Sequence, residues 1–200
     1  MSTIETIDYR NHTIKVMFDD DPLNPRTEWD NFGTMICFHK RYVLGDNENL
    51  IDYRDFESWE DIEQHLIKEE DAAVILPLSL YDHGGISMSV GRVGGWDCGQ
   101  VGFIFVTREK ILKDFDRKHL SKNLLDRVRK ILDGEVETYD NYMTGQVYGY
   151  VVEPMDGYEG EECSDSCFGF YDQDDMVNQA KASIDFTIRQ QEIPFIQGRV

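Results

Sequence analysis

Long hydrophobic runs are missing from this chain. No window reaches the roughly 18–20 consecutive apolar residues that a membrane-crossing helix needs, and the opening residues Met1–Val16 hold no apolar signal core. The expectation is a soluble, cytoplasmic protein with no membrane partner. Proline is scarce, at five residues, and no Ser-, Gly- or Pro-rich linker interrupts the sequence, so one domain over residues 1–200 is expected. Cysteine is limited to four, and without a secretory signal these read as thiols rather than a disulfide framework. Cys163 and Cys167 lie four apart, which is not the C-x-x-C spacing of zinc knuckles or redox sites. The largest deficit is positive charge. Twenty Lys and Arg face thirty-nine Asp and Glu, for a formal net charge of -19.

Several motifs are absent too. The glycines Gly91, Gly94, Gly95, Gly99 and Gly102 fall into neither a P-loop nor a G-x-G-x-x-G opening a helix. The Asp19–Asn24 and Asp172–Asp175 clusters lack the D-x-D-x-D-G calcium spacing. No cofactor is implied.

What is present centres on Leu76–Val106, an almost uncharged stretch in an acidic chain. Asp71–Leu80 predicts a buried strand, with Pro77 forcing it to a sheet edge or into a bulge. Ile86, Met88 and Val90 alternate as a second strand, and Val101, Phe103 and Phe105 as a third, paired with the second across Gly94-Gly95. Upstream, Thr6–Phe18 alternates as one strand and Thr34–His39 as another, with Trp29 and Phe32 tucking the intervening loop against the core. Ser58 with Asp61 forms a capping box ahead of the Trp59, Ile62, Leu66 stripe. Thr107 and Ser121 cap two further helices, the second striped by Leu124, Val128, Ile131 and Leu132 through to Met143, with Gly134 inside it or dividing it. A strand over Gln146–Glu153, a hairpin partner at Cys167–Tyr171 and a helix from Asp174 or Asp175 complete the order. Strands mixed with helices and hairpin-like connections predict an α+β fold with a mainly antiparallel sheet and flanking helices.

Two constellations could carry chemistry. Cys98 with His83 as base and Asp97 or Asp82 as the orienting carboxylate would make a thiol nucleophile. Cys37 and His39, at i and i+2 on one strand face, would join His83 and Cys98 as a Cys₂His₂ zinc set. A core thiol and partly buried histidines account for the same residues, so neither an enzyme nor a metal protein is the leading expectation.

Charge is distributed unevenly. Arg108–Lys130 carries nine basic residues against four acidic ones, which read as the solvated faces of helices rather than a phosphate-binding patch. Asp133–Asp175 carries thirteen carboxylates and no lysine or arginine. Such a field repels nucleic acid and attracts basic partners. Carboxylates spread along a surface can also imitate a duplex, which carries about one charge per 1.7 Å of axis. Glu135, Glu137, Asp140, Glu153, Asp156, Glu159, Glu161 and Glu162 are the candidate partner-binding residues, because nothing basic interrupts them.

The runs Asp21-Pro22-Leu23-Asn24-Pro25-Arg26, Gly33-Thr34-Met35, Leu80-Tyr81-Asp82-His83-Gly84-Gly85-Ile86-Ser87-Met88 and Trp96-Asp97-Cys98-Gly99-Gln100-Val101-Gly102 resemble an uncharacterised family of small acidic phage and mobile-element proteins. The similarity extends over Glu137-Thr138-Tyr139-Asp140 and Thr144-Gly145-Gln146-Val147-Tyr148-Gly149. The resemblance implies a genomic setting and a host-cell cytoplasm, and brings no catalytic residue. Small acidic proteins in that setting are often inhibitors of host defence, some of them DNA mimics. The expected function is therefore non-enzymatic binding of a protein partner, in its sharper form a nucleic-acid-binding host protein.

Overall fold

The computed structural model describes residues 2–46, 50–155 and 164–192. Among them are eight strands in two four-stranded antiparallel sheets, with five α-helices, as the α+β expectation requires. The chain divides into two compact units, one built from residues 1–23 and 145–200, the other from residues 24–144.

In the first unit, β1 (Thr3–Tyr9), β2 (His12–Phe18), β7 (Tyr148–Pro154) and β8 (Asp165–Phe170) lie in that order. The single strand expected over Thr6–Phe18 is instead a hairpin. Arg10 and Asn11 both take positive φ, 48° and 61°, the backbone of a two-residue primed turn whose twist matches the flanking strands. Ile14, Val16, Tyr150 and Val152 of the sheet bury against Met176, Ala180 and Ile184 of α5 (Gln173–Glu192). Asp165 closes this core from the side. Its Oδ2 accepts hydrogen bonds from the Ser183 and Tyr150 hydroxyls, and these, the Ser183 bond foremost, hold its carboxyl below the usual range.

In the second unit the order is β3 (Thr34–Cys37), β6 (Cys98–Thr107), β4 (Ala72–Asp82), β5 (Ile86–Val90). Two expectations are corrected here. The strand holding Pro77 is interior, between β5 and β6, so of the two alternatives the edge fails, while the register with β6 does shift one residue on, between Leu78 and Ser79. Within a strand a residue's N–H and C=O face the same neighbour, and the Pro77 carbonyl accepts from Gly91 N at 2.8 Å, on the β5 side. The ladder with β5 ends one residue away, at Leu78–Val90, so the missing N–H costs no ladder bond. The second correction concerns β5 and β6, which do not pair across Gly94-Gly95. β6 runs instead along β4, with Tyr81 opposite Cys98, and along β3.

The reason lies in β6, buried from Val101 to Val106 on both faces. At an edge those side chains would lose the neighbouring strand along one side, and each Phe or Ile exposed to water there forfeits about 1.5–3 kcal/mol. One face packs on α4 (Lys122–Met143) through Ile104, Val128 and Leu132, the other on α2 (Trp59–Lys68) through Phe103, Phe105, Ile62 and Leu66. Gly102 allows β3 close, since a Cβ there would meet Ile36 O at 1.9 Å. The capping predictions hold: Ser58 Oγ accepts from Asp61 N, Thr107 Oγ1 from Lys110 N and Ser121 Oγ from Leu124 N. α4 is continuous through Gly134. Phe32 packs edge-on to Phe115 of the segment after α3 (Arg108–Asp114), while Trp29 is 44% exposed, so only one of the two aromatics tucks inward.

Candidate functional site

β4 runs on to Asp82 and β6 starts at Cys98, so the two strands share an end at which Asp82 N donates to Asp97 O at 3.0 Å. A Gly95–Cys98 bridge turns the chain tightly and puts Trp96, 98% exposed, at the tip. Phe38 N donates to Val101 O, which draws the segment after β3 alongside. These pieces enclose a mostly polar cleft of about 370 Å³ lined by His39, Asp82, Trp96, Asp97, Cys98 and Gln100, among others.

The cleft's acid–base groups are occupied with one another. His39 Nε2 lies 3.4 Å from Asp82 Oδ2, and the Arg41 guanidinium bonds the same carboxylate oxygen. His39 Nδ1 accepts from the backbone N–H groups of Arg41 and Tyr42, each at 3.3 Å. With Nδ1 accepting, the neutral ring carries its proton on Nε2, toward Asp82. Tyr42 stacks on the imidazole, ring centroids 5.0 Å apart. Neither nitrogen of His39 is left for a substrate or a metal.

The thiol constellation is gathered at this end of the sheet without being joined. His83 is exposed, its Nδ1 3.7 Å from Asp97 Oδ2, and Cys98 is half-buried in the cleft wall. No hydrogen bond links Cys98 to His83 among the described residues. The geometry therefore offers imidazole–carboxylate pairs rather than a base beside a nucleophile.

The zinc set does not gather. Cys37 points into the core, where burial first and Asp46 second push its thiol up to about 12. β3 ends at Cys37, so the alternation that would put His39 on the same face no longer applies. No group of three or more His, Cys, Asp or Glu side chains is placed to hold a metal among the described residues. Cys37, Cys98 and Cys167 are not joined in disulfides.

The acidic candidates divide into different roles. Glu135 turns inward and accepts from Phe32 N at 2.6 Å, Gly33 N at 3.1 Å and Arg26 Nη1 at 3.0 Å. Asp140 accepts from Met88 N at 2.6 Å. Both carboxylates serve the chain's own backbone. Glu153 pairs with Lys15 at 2.6 Å on the sheet of the first unit. Glu137 is exposed on α4. Asp156, Glu159, Glu161 and Glu162 lie outside the described residues, as does Cys163.

Sequence reasoning missed the centre of this arrangement. The Arg26 side chain is 1% exposed and held by Asp46 and Glu135, at 2.7 and 3.0 Å, and by Gly33 O at 2.8 Å. It sits in α1 (Pro25–Glu28), capped by the Asn24 side chain. Asn followed by Pro is an N-cap and N1 signature, so the helix was readable. The burial of its arginine was not.

Comparison with family models, with curated proteins and with solved structures finds no match for this chain. No helix among the described residues is long and apolar enough to cross a membrane.

Proposed function

We propose that this chain is a non-enzymatic binding protein of the phage and mobile-element type, which engages a basic, nucleic-acid-binding protein of its host through carboxylates. In its sharper form it is a DNA mimic that occupies the DNA site of a restriction or CRISPR-type nuclease. What supports the reading is the allotment of charge between the units. Residues 1–23 and 145–200 carry sixteen Asp and Glu against five Lys and Arg, while residues 24–144 carry twenty-three against fifteen. The first unit is the more acidic although it is the smaller, and Asp8, Asp20, Asp21, Asp174 and Asp175 in it are exposed. A field of that sign draws a DNA-binding groove to it.

The test is competition. A panel of purified host nucleases is titrated with the protein at rising salt, with and without duplex DNA. The expected result is binding that weakens steeply with salt, is displaced by DNA, and is lost on combined reversal of Asp21, Asp174 and Asp175 to lysine. Binding that ignores both DNA and charge reversal would refute the mimic.

A further inference from the structure

In the second unit, a short 3₁₀ turn at Tyr53–Asp55 leads into α2, and the two enclose a pocket of about 270 Å³. Its walls are the rings of Tyr53, Phe56 and Trp59 with Ile62 behind them, and Glu57 stands at its edge. The rings are fixed from below. Phe38 contacts Tyr53 at 5.6 Å and Trp59 at 6.2 Å between centroids, and Trp59 meets Phe103 edge-on at 5.9 Å. Tyr53 is 51% exposed, so an aromatic face remains open to solvent. Ligand cavities commonly run from about 300 to 1,000 Å³, so this one suits a single side chain better than a small-molecule cofactor.

The surrounding charge defines which side chain. From Asp52 to Glu63 there are six carboxylates and one arginine. That arginine, Arg54, is folded back on Asp52 with Nε 3.0 Å from both oxygens. Arg92 bridges Glu60 and Glu63 at 2.9 and 3.1 Å. Neither cation fills the pocket. Glu57 is exposed and makes no hydrogen bond or ion pair among the described residues. An open aromatic face beside an uncompensated carboxylate attracts a planar cation, which stacks on the ring and pairs with the carboxylate at once.

We infer that this pocket receives an arginine side chain from a basic protein partner. The inference takes its macromolecular partner from the proposed function and adds a contact that salt weakens less than surface charge, because the cation is partly removed from water. Glycine is the natural neighbour for such an arginine in a probe, since it adds no contact of its own.

The experiment uses the full chain labelled with ¹⁵N and the peptide acetyl-Gly-Arg-Gly-amide, with acetyl-Gly-citrulline-Gly-amide as its neutral match. The indole N–H of Trp59 is followed beside those of Trp29 and Trp96. The expected result is a saturable millimolar shift at Trp59 with the arginine peptide, about fivefold weaker with citrulline. Glu57→Gln and, in a variant shown to retain the wild-type melting midpoint, Tyr53→Leu each weaken it by a similar factor. Equal shifts with citrulline, equal shifts at all three tryptophans, or no shift would overturn the pocket. Arginine binding without any nuclease binding would sink the mimic and leave the pocket standing. Nuclease binding with no peptide shift would do the reverse.

Discussion

Arg26→Met isolates what the buried guanidinium does. The substitution keeps an apolar stem of similar reach and removes three hydrogen bonds, two of them to the carboxylates of Asp46 and Glu135, which are far apart in the chain. Asp46 and Glu135 stay behind with side chains 26% and 17% exposed. Removing one partner of a buried ion pair costs about 3–5 kcal/mol, because the charge left over is neither paired nor solvated. Partial exposure of both carboxylates puts the expectation at the lower end, ~3 kcal/mol. Trp29, Trp59 and Trp96 all lie between residues 24 and 144, so tryptophan fluorescence reports this unit alone. With a urea slope near 2 kcal/mol per M, the midpoint falls by about 1.5 M. The double variant Arg26→Met with Glu135→Gln recovers part of the loss, since the amide oxygen still accepts from Phe32 and Gly33 N–H without a buried charge. A single-variant loss under about 1 kcal/mol, or a double variant worse than the single, would refute the argument.

Three further outcomes follow from the packing and the shifted groups. Gly102→Ala forces a methyl against the β3 backbone at Ile36 O, where nothing flexible can yield. Urea unfolding read by tryptophan fluorescence should show a loss of at least about 2 kcal/mol. Cys37, raised to about 12 mainly by burial, should resist iodoacetamide at pH 8 in the folded protein while the exposed Cys167 is alkylated, as peptide mass spectrometry reads directly. Asp165, depressed by the Ser183 and Tyr150 hydroxyls against a smaller opposing effect of burial, contributes stability to the first unit that is complete above the ordinary carboxylate value near 3.8. That contribution disappears as pH falls through its lower folded value. Protection of the β7 amides, taken relative to the exchange rate of an unstructured peptide at the same pH, should therefore fall below about pH 4, and Asp165→Asn should flatten that dependence.

Helices were legible where a cap and a stripe agreed. Ser58, Thr107 and Ser121 fix their helix starts through bonds to backbone three residues on, a local geometry that tertiary context did not alter. Strand existence was legible from alternation, but pairing was not. Nothing in the Ile86–Val90 and Cys98–Thr107 patterns states that the second leaves its sequence neighbour to lie between β3 and β4. The decision came from burial on both faces, which is a property of the whole sheet. The same holds at the candidate site. Tyr81, Asp82, Asp97 and Cys98 did meet, because β4 and β6 share an end, yet His39 arrived there from the segment after β3 and took up Asp82.

Composition by itself determined the sign of the molecule's field and the scarcity of cations to balance it, since charge counts do not depend on conformation. Periodicity and capping residues determined the helices and the α+β class, because those rest on contacts within a few residues. Only the tertiary structure decided which carboxylates face outward. Glu135 and Glu137 are two positions apart on one helix, yet the first turns inward to Arg26 and two backbone N–H groups while the second meets solvent. A helical turn of 3.6 residues puts such neighbours on different faces, and the packing of α4 chose which face was inward.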